Sequence, residues 1–590
     1  MCRGTLLIGA YAALDGQDEW TAAVGGGSAW EASPDNWIYG TVTGGDAHKG
    51  SDATDQAPIN AIQRFTADAS LGFFDSKWKA LYEGVARTND VLSLLQEIET
   101  DEMPEELQSI AEAEARYLRA HYYFELRKMF YRVPWIDENT EDVNQPNDRE
   151  IWPDIEADLE FAYENLPETQ SERARANSWA AASYLGKVYL YQENWTDAIE
   201  ILTEVIDNGV TSEGVAYDLM DSPRDIWDPS LEDGNPENIF YLQMVADDGT
   251  VQISNSNQGM MLNFPYNSPF RCCGFYQPTQ DLVNSYRTEN GLPLIDRDEY
   301  RSELVTSDQG VGTGDQFIPY DGALDSRLDW TVGRRGVPYH DWGPHPGRTW
   351  IRDQSYAGPY APKKHVYWRS QESEYANNNS WAPGTAINYP VIRFADVLLM
   401  AAEAEAEAGD SEQARLYVNR VRERAANPDG WVNNDLNREY AADIVQSESD
   451  VTDVSTSSGN WVVVEEDNTT YVYLGGGTGD IDNWNRYEEP NYEVELYSAA
   501  DWALVDPVEA VRFERKLELA FEGHRFFDLA RWGIAEDELN SYFEWEGSSA
   551  SGSQGGYLSG SSFQSNQNEY FPIPQNQIDL SVEDGEARLE

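Results

Sequence analysis

One stretch of this chain restricts its fold more than any other. Between residues 151 and 208 stands Leu185-Gly186-x-x-Tyr189, then a turn at Asn194-Trp195, then Ala198-x-x-x-Leu202. Gly186 and Ala198 have almost no side chain, so two helices can approach closely there, while Tyr189 and Leu202 fill the space beside the contact. A second copy lies far downstream over 391–426, with Ala401-Ala402 before a turn at Gly409-Asp410 and Ala414, Val418 and Val421 after it. Gly409 is expected in the left-handed C-cap position, with Asp410 or Ser411 capping the next helix.

This spacing is the tetratricopeptide pattern, with Leu in place of Phe at the last position. Residues 76–130 add two amphipathic helices separated at Met103-Pro104, and a further helix runs through Val508, Val511, Leu517, Ala520 and Phe521. Leu6, Leu7, Ile8, Ala10, Tyr11 and Leu14 predict a helix at the very start. The fold class expected is mainly α: a tetratricopeptide-like scaffold of helical hairpins over about 1–210, 390–427 and 505–535, forming a single domain of 590 residues. Loop-rich insertions interrupt it at about 211–389, 428–500 and 536–570, and they are rich in Gly, Pro, Asn, Trp and Tyr. Trp461–Val464 and Tyr471–Leu474 predict a small β-hairpin inside the second insertion.

Charge narrows the partners. The chain has 41 basic and 105 acidic residues, a formal charge of −64. Such a chain repels phosphate backbones and anionic lipid, so nucleic acid is excluded as a direct partner. With 20 Trp and 34 Tyr it is too rich in core-forming residues to be disordered, and the acid excess belongs on a folded surface. Acid excess with only eight lysines is the pattern of a protein from a high-salt setting, where ions screen the self-repulsion. Three cysteines, Cys2, Cys272 and Cys273, make no disulfide framework, and the adjacent pair is expected as two buried small hydrophobes. No apolar run is long enough to span a membrane.

Catalytic motifs are missing: there is no phosphate-binding Gly-rich loop in a strand–helix context and no H-E-x-x-H. No metal or cofactor is expected. His340 and His345 are expected as surface or supporting histidines, and Asp480-Ile481-Asp482-Asn483 as a solvated acidic turn without the spacing of a calcium loop. The aromatics say more. Sugars present C–H faces that stack on flat rings, and their hydroxyls need Asn, Asp, Gln or Arg at the rim. Two loop clusters fit: Trp30, Trp37 and Tyr39 with Asp35 and Asn36, and Tyr339, Trp342 and Trp350 with Asp341 and Arg348. These six rings are the candidate ligand-binding residues. Against this stands the reading that each ring pins its loop to the scaffold.

Several stretches in order resemble one family: Ile8–Leu14; Glu114–Ala120 leading to Tyr122-Tyr123-Phe124; Pro278–Val283; Pro390-Val391-Ile392-Arg393-Phe394-Ala395-Asp396 through Met400; Glu514–Leu529; and Phe571-Pro572-Ile573-Pro574. Together they are similar to the SusD-like (RagB/SusD) nutrient-uptake proteins. The resemblance implies an α/α superhelix and a surface-exposed lipoprotein of the outer membrane. It further implies capture of an oligosaccharide or other nutrient, non-enzymatically, for a SusC-like TonB-dependent transporter on which the helical repeats pack. Members carry a signal peptide ending in an acylated Cys and a tether. Here the first motif arrives at Ile8, so Cys2 is read as incidental and the lipid anchor, the sole membrane contact, as absent from this sequence. Two other classes compete. A tetratricopeptide scaffold for peptide tails predicts contiguous repeats, and a glycoside hydrolase needs two carboxylates converging in one cleft.

Overall fold

A computed structural model describes residues 2–18, 21–98, 103–249, 255–313, 315, 317, 319–436, 454–456, 459–466, 469–475, 485–487, 490–552 and 556–589. The longer helices, numbered in chain order, are α1 (Cys2–Ala12), α2 (Gly72–Glu97), α3 (Glu105–Phe130), α4 (Trp152–Asn165), α5 (Ser178–Tyr191) and α6 (Trp195–Asn208). After the first insertion come α7 (Phe394–Ala408), α8 (Ser411–Ala426), α9 (Pro507–Glu518), α10 (Arg525–Arg531) and α11 (Ala535–Glu546).

From α2 to α8 each helix packs on the next, and α6 packs directly on α7 although the first insertion lies between them in sequence. The helical ladder is therefore continuous in space where the chain is not. The small-residue contacts are as close as the spacing requires. A Cβ added to Gly186 would lie 2.4 Å from a Leu202 methyl, and one on Gly84 would lie 2.4 Å from the Tyr122 ring. Pro104, whose φ is set by its ring, caps α3 at the expected break.

Gly409 departs from the expectation. Its φ is −115°, not left-handed. A Cβ there would meet the Glu405 carboxylate at 2.0 Å and Ile199 of α6 at 2.9 Å, so the glycine supplies clearance between repeats. Asp410 caps α8 as expected, accepting the Glu412 N–H.

Two antiparallel strand pairs attach the loop layer to the ladder. β1 (Ala47–Gly50) pairs with β3 (Phe275–Pro278), joining the N-terminal loops to the first insertion. β2 (Asn238–Leu242) pairs with β4 (Tyr389–Arg393), so most of that insertion leaves and returns at one point, directly before α7. Within the second insertion, β5 (Gly459–Glu466) and β6 (Thr469–Gly475) pair with Trp461 opposite Leu474, which is the expected hairpin. Asp480–Asn483 lies outside the described residues.

Charged residues of the sequence signature lie inside. Arg393, at the end of β4, donates to Glu237 at 2.7 Å, Glu518 at 2.9 Å and Glu522 at 2.8 Å. Arg327 joins the same network through Asp325 at 2.8 Å and Glu514 at 2.6 Å, and all these side chains are at most 3 % exposed. Each guanidinium here is matched by several carboxylates, the condition under which buried charge is tolerated.

Candidate functional site: the loop-layer shelf

The six aromatics expected as ligand platforms are core residues. Trp37 is 1 % exposed; its indole donates to the Gly259 carbonyl at 3.2 Å and its ring meets Tyr276. Tyr39 donates to the carbonyls of Glu31 and Phe73. Tyr339 donates to the Pro362 carbonyl and Trp342 to that of Tyr367, and Trp350 packs its ring across His345. Tyr339, Trp342 and Trp350 join Phe264, Phe270 and Tyr367 in a second hydrophobic core beneath the loops. The reason is area: in loops with few aliphatic residues, large rings are the only groups that can build a core, so they turn inward. Trp30 is also buried, but it alone of the six touches an exposed indole, Trp381, edge to face at 6.2 Å.

His340 and His345, expected as surface or supporting histidines, are buried as well. The His340 Nε2 lies 3.2 Å from the Lys363 carbonyl, and His345 Nδ1 accepts the Gly347 N–H. Burial pushes His345 down to about 3, so its ring is neutral. Among the described residues no group of His, Cys, Asp and Glu has the arrangement to hold a metal ion. Cys272 and Cys273, expected as two free buried residues, are joined to one another as a disulfide. Cys273 is buried, while Cys272 packs on Met261 and Ala382.

The aromatic core supports a shelf of polar and aromatic groups, of which the sequence reading singled out only Arg348. Its first wall is the Ser51–Asp55 loop. Lys49 lies wholly inside this loop and spends its three N–H donors on the carbonyls of Gly50 (3.0 Å), Asp52 (2.7 Å) and Asp55 (2.7 Å). Burial lowers its ammonium to about 8, against the pull of Asp55 and Asp52. Held in this way, the loop presents Asp52 and Asp55 to Arg352, at 2.7 Å and 2.5 Å. The Thr54 hydroxyl, backbone N–H groups and Arg352 hold Asp52 down at about 2 against a small opposing effect of burial. All three side chains are close to 30 % exposed.

Arg352 also lies over the Tyr266 ring at 5.2 Å. Both are brought in by Gly274, whose left-handed φ of 80° leaves room where a Cβ would sit 3.0 Å from Tyr266. Along the same loop, Asn267 donates to the Thr349 carbonyl, and exposed Arg271 donates to the carbonyls of Asn378 and Ser380. These contacts bring the Trp381 turn, the Tyr266–Gly274 loop and the Gly347–Arg352 segment into one face. Trp381 is 43 % exposed, the largest open ring on this face. Asp308, accepting the Arg348 N–H at 3.2 Å, joins the shelf to a cleft of 320 Å³ lined by Phe317, Tyr320, Tyr360 and Asn491.

A polar shelf on an aromatic core, carried by an interrupted helical ladder, is the arrangement to set beside known proteins. The profile of the SusD family matches residues 236–451 and 484–584, and a second profile, described as starch-binding associating with outer membrane, matches 39–190. The chain belongs to the SusD family. A SusD-like protein of Formosa agariphila, named P2, is 28 % identical over 374 residues, covering 62 % of this chain and 65 % of its own length. A SusD-like protein of Bacteroides ovatus is 24 % identical over 249 residues, 40 % of this chain and 45 % of the relative. The matches thus span less than two thirds of these curated SusD-like relatives. Among solved structures, a SusD superfamily protein from Bacteroides vulgatus superposes with a TM-score of 0.63 at 20 % identity, covering 100 % of this chain and 97 % of that one. Surface glycan-binding protein A of Bacteroides thetaiotaomicron, solved with laminarihexaose, gives 0.60 at 18 % identity with 99 % of both chains covered. These likenesses establish the SusD fold: a mainly helical superhelix with small sheets.

Proposed function

We propose that this SusD-family protein captures a glycan on its loop-layer shelf and passes it to a SusC-like TonB-dependent transporter, as a lipid-anchored protein exposed on the outer membrane. The observation that carries the reading is the exposed Trp381 ring on a turn that Arg271 ties to the loop carrying Tyr266, whose ring lies under Arg352 beside Asp52 and Asp55. A flat ring beside forked donors and acceptors is what a pyranose needs: a stacking surface for its C–H face and hydrogen bonds at its rim. Relatives and neighbours described as starch-binding or solved with laminarihexaose support a sugar as the ligand. Of the six aromatics first singled out, Trp30 keeps a place in this proposal, as the ring behind Trp381. Trp37, Tyr39, Tyr339, Trp342 and Trp350 shape the site from below.

Binding without hydrolysis fits the shelf's electrostatics. A glycosidase needs one carboxyl kept protonated as general acid. The open Asp52, held at about 2 by hydrogen bonds and Arg352, cannot serve as one at neutral pH, and Asp308, pushed up to about 6 by burial, is enclosed against Arg335 and Gln354 rather than open on the shelf.

Titration calorimetry against a polysaccharide panel tests the reading. Trp381→Ala is expected to weaken binding about tenfold, by analogy with the loss of one stacked ring, with an unchanged melt. Unchanged binding would move the site elsewhere. Release of reducing ends above a heat-killed control would replace the binding role with an enzymatic one. Co-purification with a TonB-dependent transporter tests the partnership, and antibody labelling of intact cells tests surface exposure. We further propose adaptation to high salt, from the charge of −64. The melting temperature should rise from dilute buffer to molar salt, and equal midpoints would remove that claim.

A further inference from the structure

We propose that the ligand is an anionic glycan, bearing carboxylate or sulfate groups, and that Arg271 and Arg348 recognise its charge. The inference rests on the shelf reading above and names the ligand class.

It follows from where this chain leaves its positive charge unpaired. With 105 acidic residues against 41 basic ones, an exposed guanidinium will ordinarily find a carboxylate. Three do: Arg149 pairs with Asp154, Arg224 with Asp225 at 2.9 Å, and Arg352 with Asp52 and Asp55. Among the described residues, the exposed arginines with no carboxylate partner are Arg132, Arg271 and Arg348. Arg132 lies over the Tyr131 ring, away from the loop layer. Arg271 and Arg348 stand on the shelf. Arg271 spends one terminal nitrogen on two backbone carbonyls, which fixes its position but neutralises nothing. Its backbone is left-handed, φ 78°, a conformation that a long side chain seldom adopts. Arg348 follows left-handed Gly347, where a Cβ would sit 2.2 Å from the Asp308 carboxylate.

The overall charge does not forbid this ligand. At physiological ionic strength screening acts over about 8 Å, so distant carboxylates contribute little at the shelf, and less in stronger salt. Contact pairs survive screening far better, and the planar fork of arginine matches a carboxylate or sulfate with two parallel hydrogen bonds. A neutral glycan would leave these charges unused. An anionic one meets cations on this face and repulsion elsewhere, which confines it to the shelf.

The test is titration of the whole protein with four oligosaccharides: an oligogalacturonate, the same oligomer after carboxyl reduction, a sulfated galactan oligomer and a neutral laminari-oligomer. At least one anionic oligomer is expected to bind about tenfold more tightly than the neutral ones, and the first and third arms separate carboxylate from sulfate recognition. Arg348→Gln should reduce that preference while changing neutral binding less than about twofold, Arg271→Gln should reduce it as well, and added salt should weaken only the anionic oligomer. Should Arg271→Gln disturb the Trp381 turn, seen as a lowered melt, Arg348→Gln alone carries the test. Equal or tighter binding of a neutral oligomer, or an anionic preference indifferent to both substitutions, overturns the inference and leaves the glycan-binding reading standing. Binding of no oligosaccharide at all overturns both.

Discussion

The ion network under the helices and the shelf on the loop layer use the same side chain to opposite ends. Arg393 is 2 % exposed and meets three carboxylates from two distant stretches of the chain, so every donor it has is committed inside the protein. Arg352 is 30 % exposed and braced by two aspartates of a single loop, while Arg271 has no carboxylate partner among the described residues. Lysine divides in the same way. Lys49, Lys77 and Lys363 are at most 1 % exposed, and only Lys79 reaches 40 % exposure of its side chain. In a chain this acidic, positive charge is scarce, and the fold places most of it where carboxylates must be buried. The few cations left uncompensated outside therefore mark where something else is to be met.

The comparison breaks most easily at the network. Arg393→Ala would strand Glu237, Glu518 and Glu522 without their shared partner and should cost about 5 kcal/mol in a denaturant melt, the upper part of the range for breaking buried pairs. A loss below about 1 kcal/mol would mean that water or relaxation replaces it. Next is the aromatic floor of the shelf. Trp350→Ala should cost about 3–4 kcal/mol as a core deletion, with binding weakened only through the disturbed loops. A variant of normal stability that no longer binds would restore Trp350 as a ligand contact.

Acid should weaken the network. Burial pushes Glu522 up, but Arg393 and Lys364 overcome this and hold it at about 2, against an ordinary 4.5. A carboxyl depressed by folding lends its full stability above the unfolded pKa and loses it as pH falls through the folded one. The melting temperature should therefore drop between about pH 4.5 and 2. A flat profile across that window would take the network out of the stability account. The smallest effect on the fold belongs to the shelf itself: Trp381→Ala should shift stability by less than about 0.5 kcal/mol, read by the same melt that accompanies its binding test.

Helices were legible because periodicity reports burial directly. Gly186, Ala198 and Leu202 announce a hairpin because no other arrangement satisfies their sizes, and Pro104 announces a break because it lacks an N–H. The loops were not legible in this way, since composition cannot tell a ring that binds from a ring that holds. Trp342 and Trp350 stand beside Asp341 and Arg348, but their rings turn into a core that only the tertiary fold reveals. A usable signal existed at Trp381. It follows Asn377-Asn378-Asn379-Ser380, a run of turn-formers that favours an exposed turn. Lys49 had no such signal, because its role depends on three carbonyls of a loop that the sequence shows only as polar.

The direct contact between α6 and α7 has a consequence for how the molecule is made. Ile199 packs against the Gly409 turn, so this seam closes only when the chain on both sides of the whole first insertion is present. Until then the half-built ladder ends in an uncovered apolar face, and the final seam closes over a long stretch of chain, the kind of contact that slows folding. The loop layer thus sets how far apart in sequence the two sides of that seam lie when they must find each other.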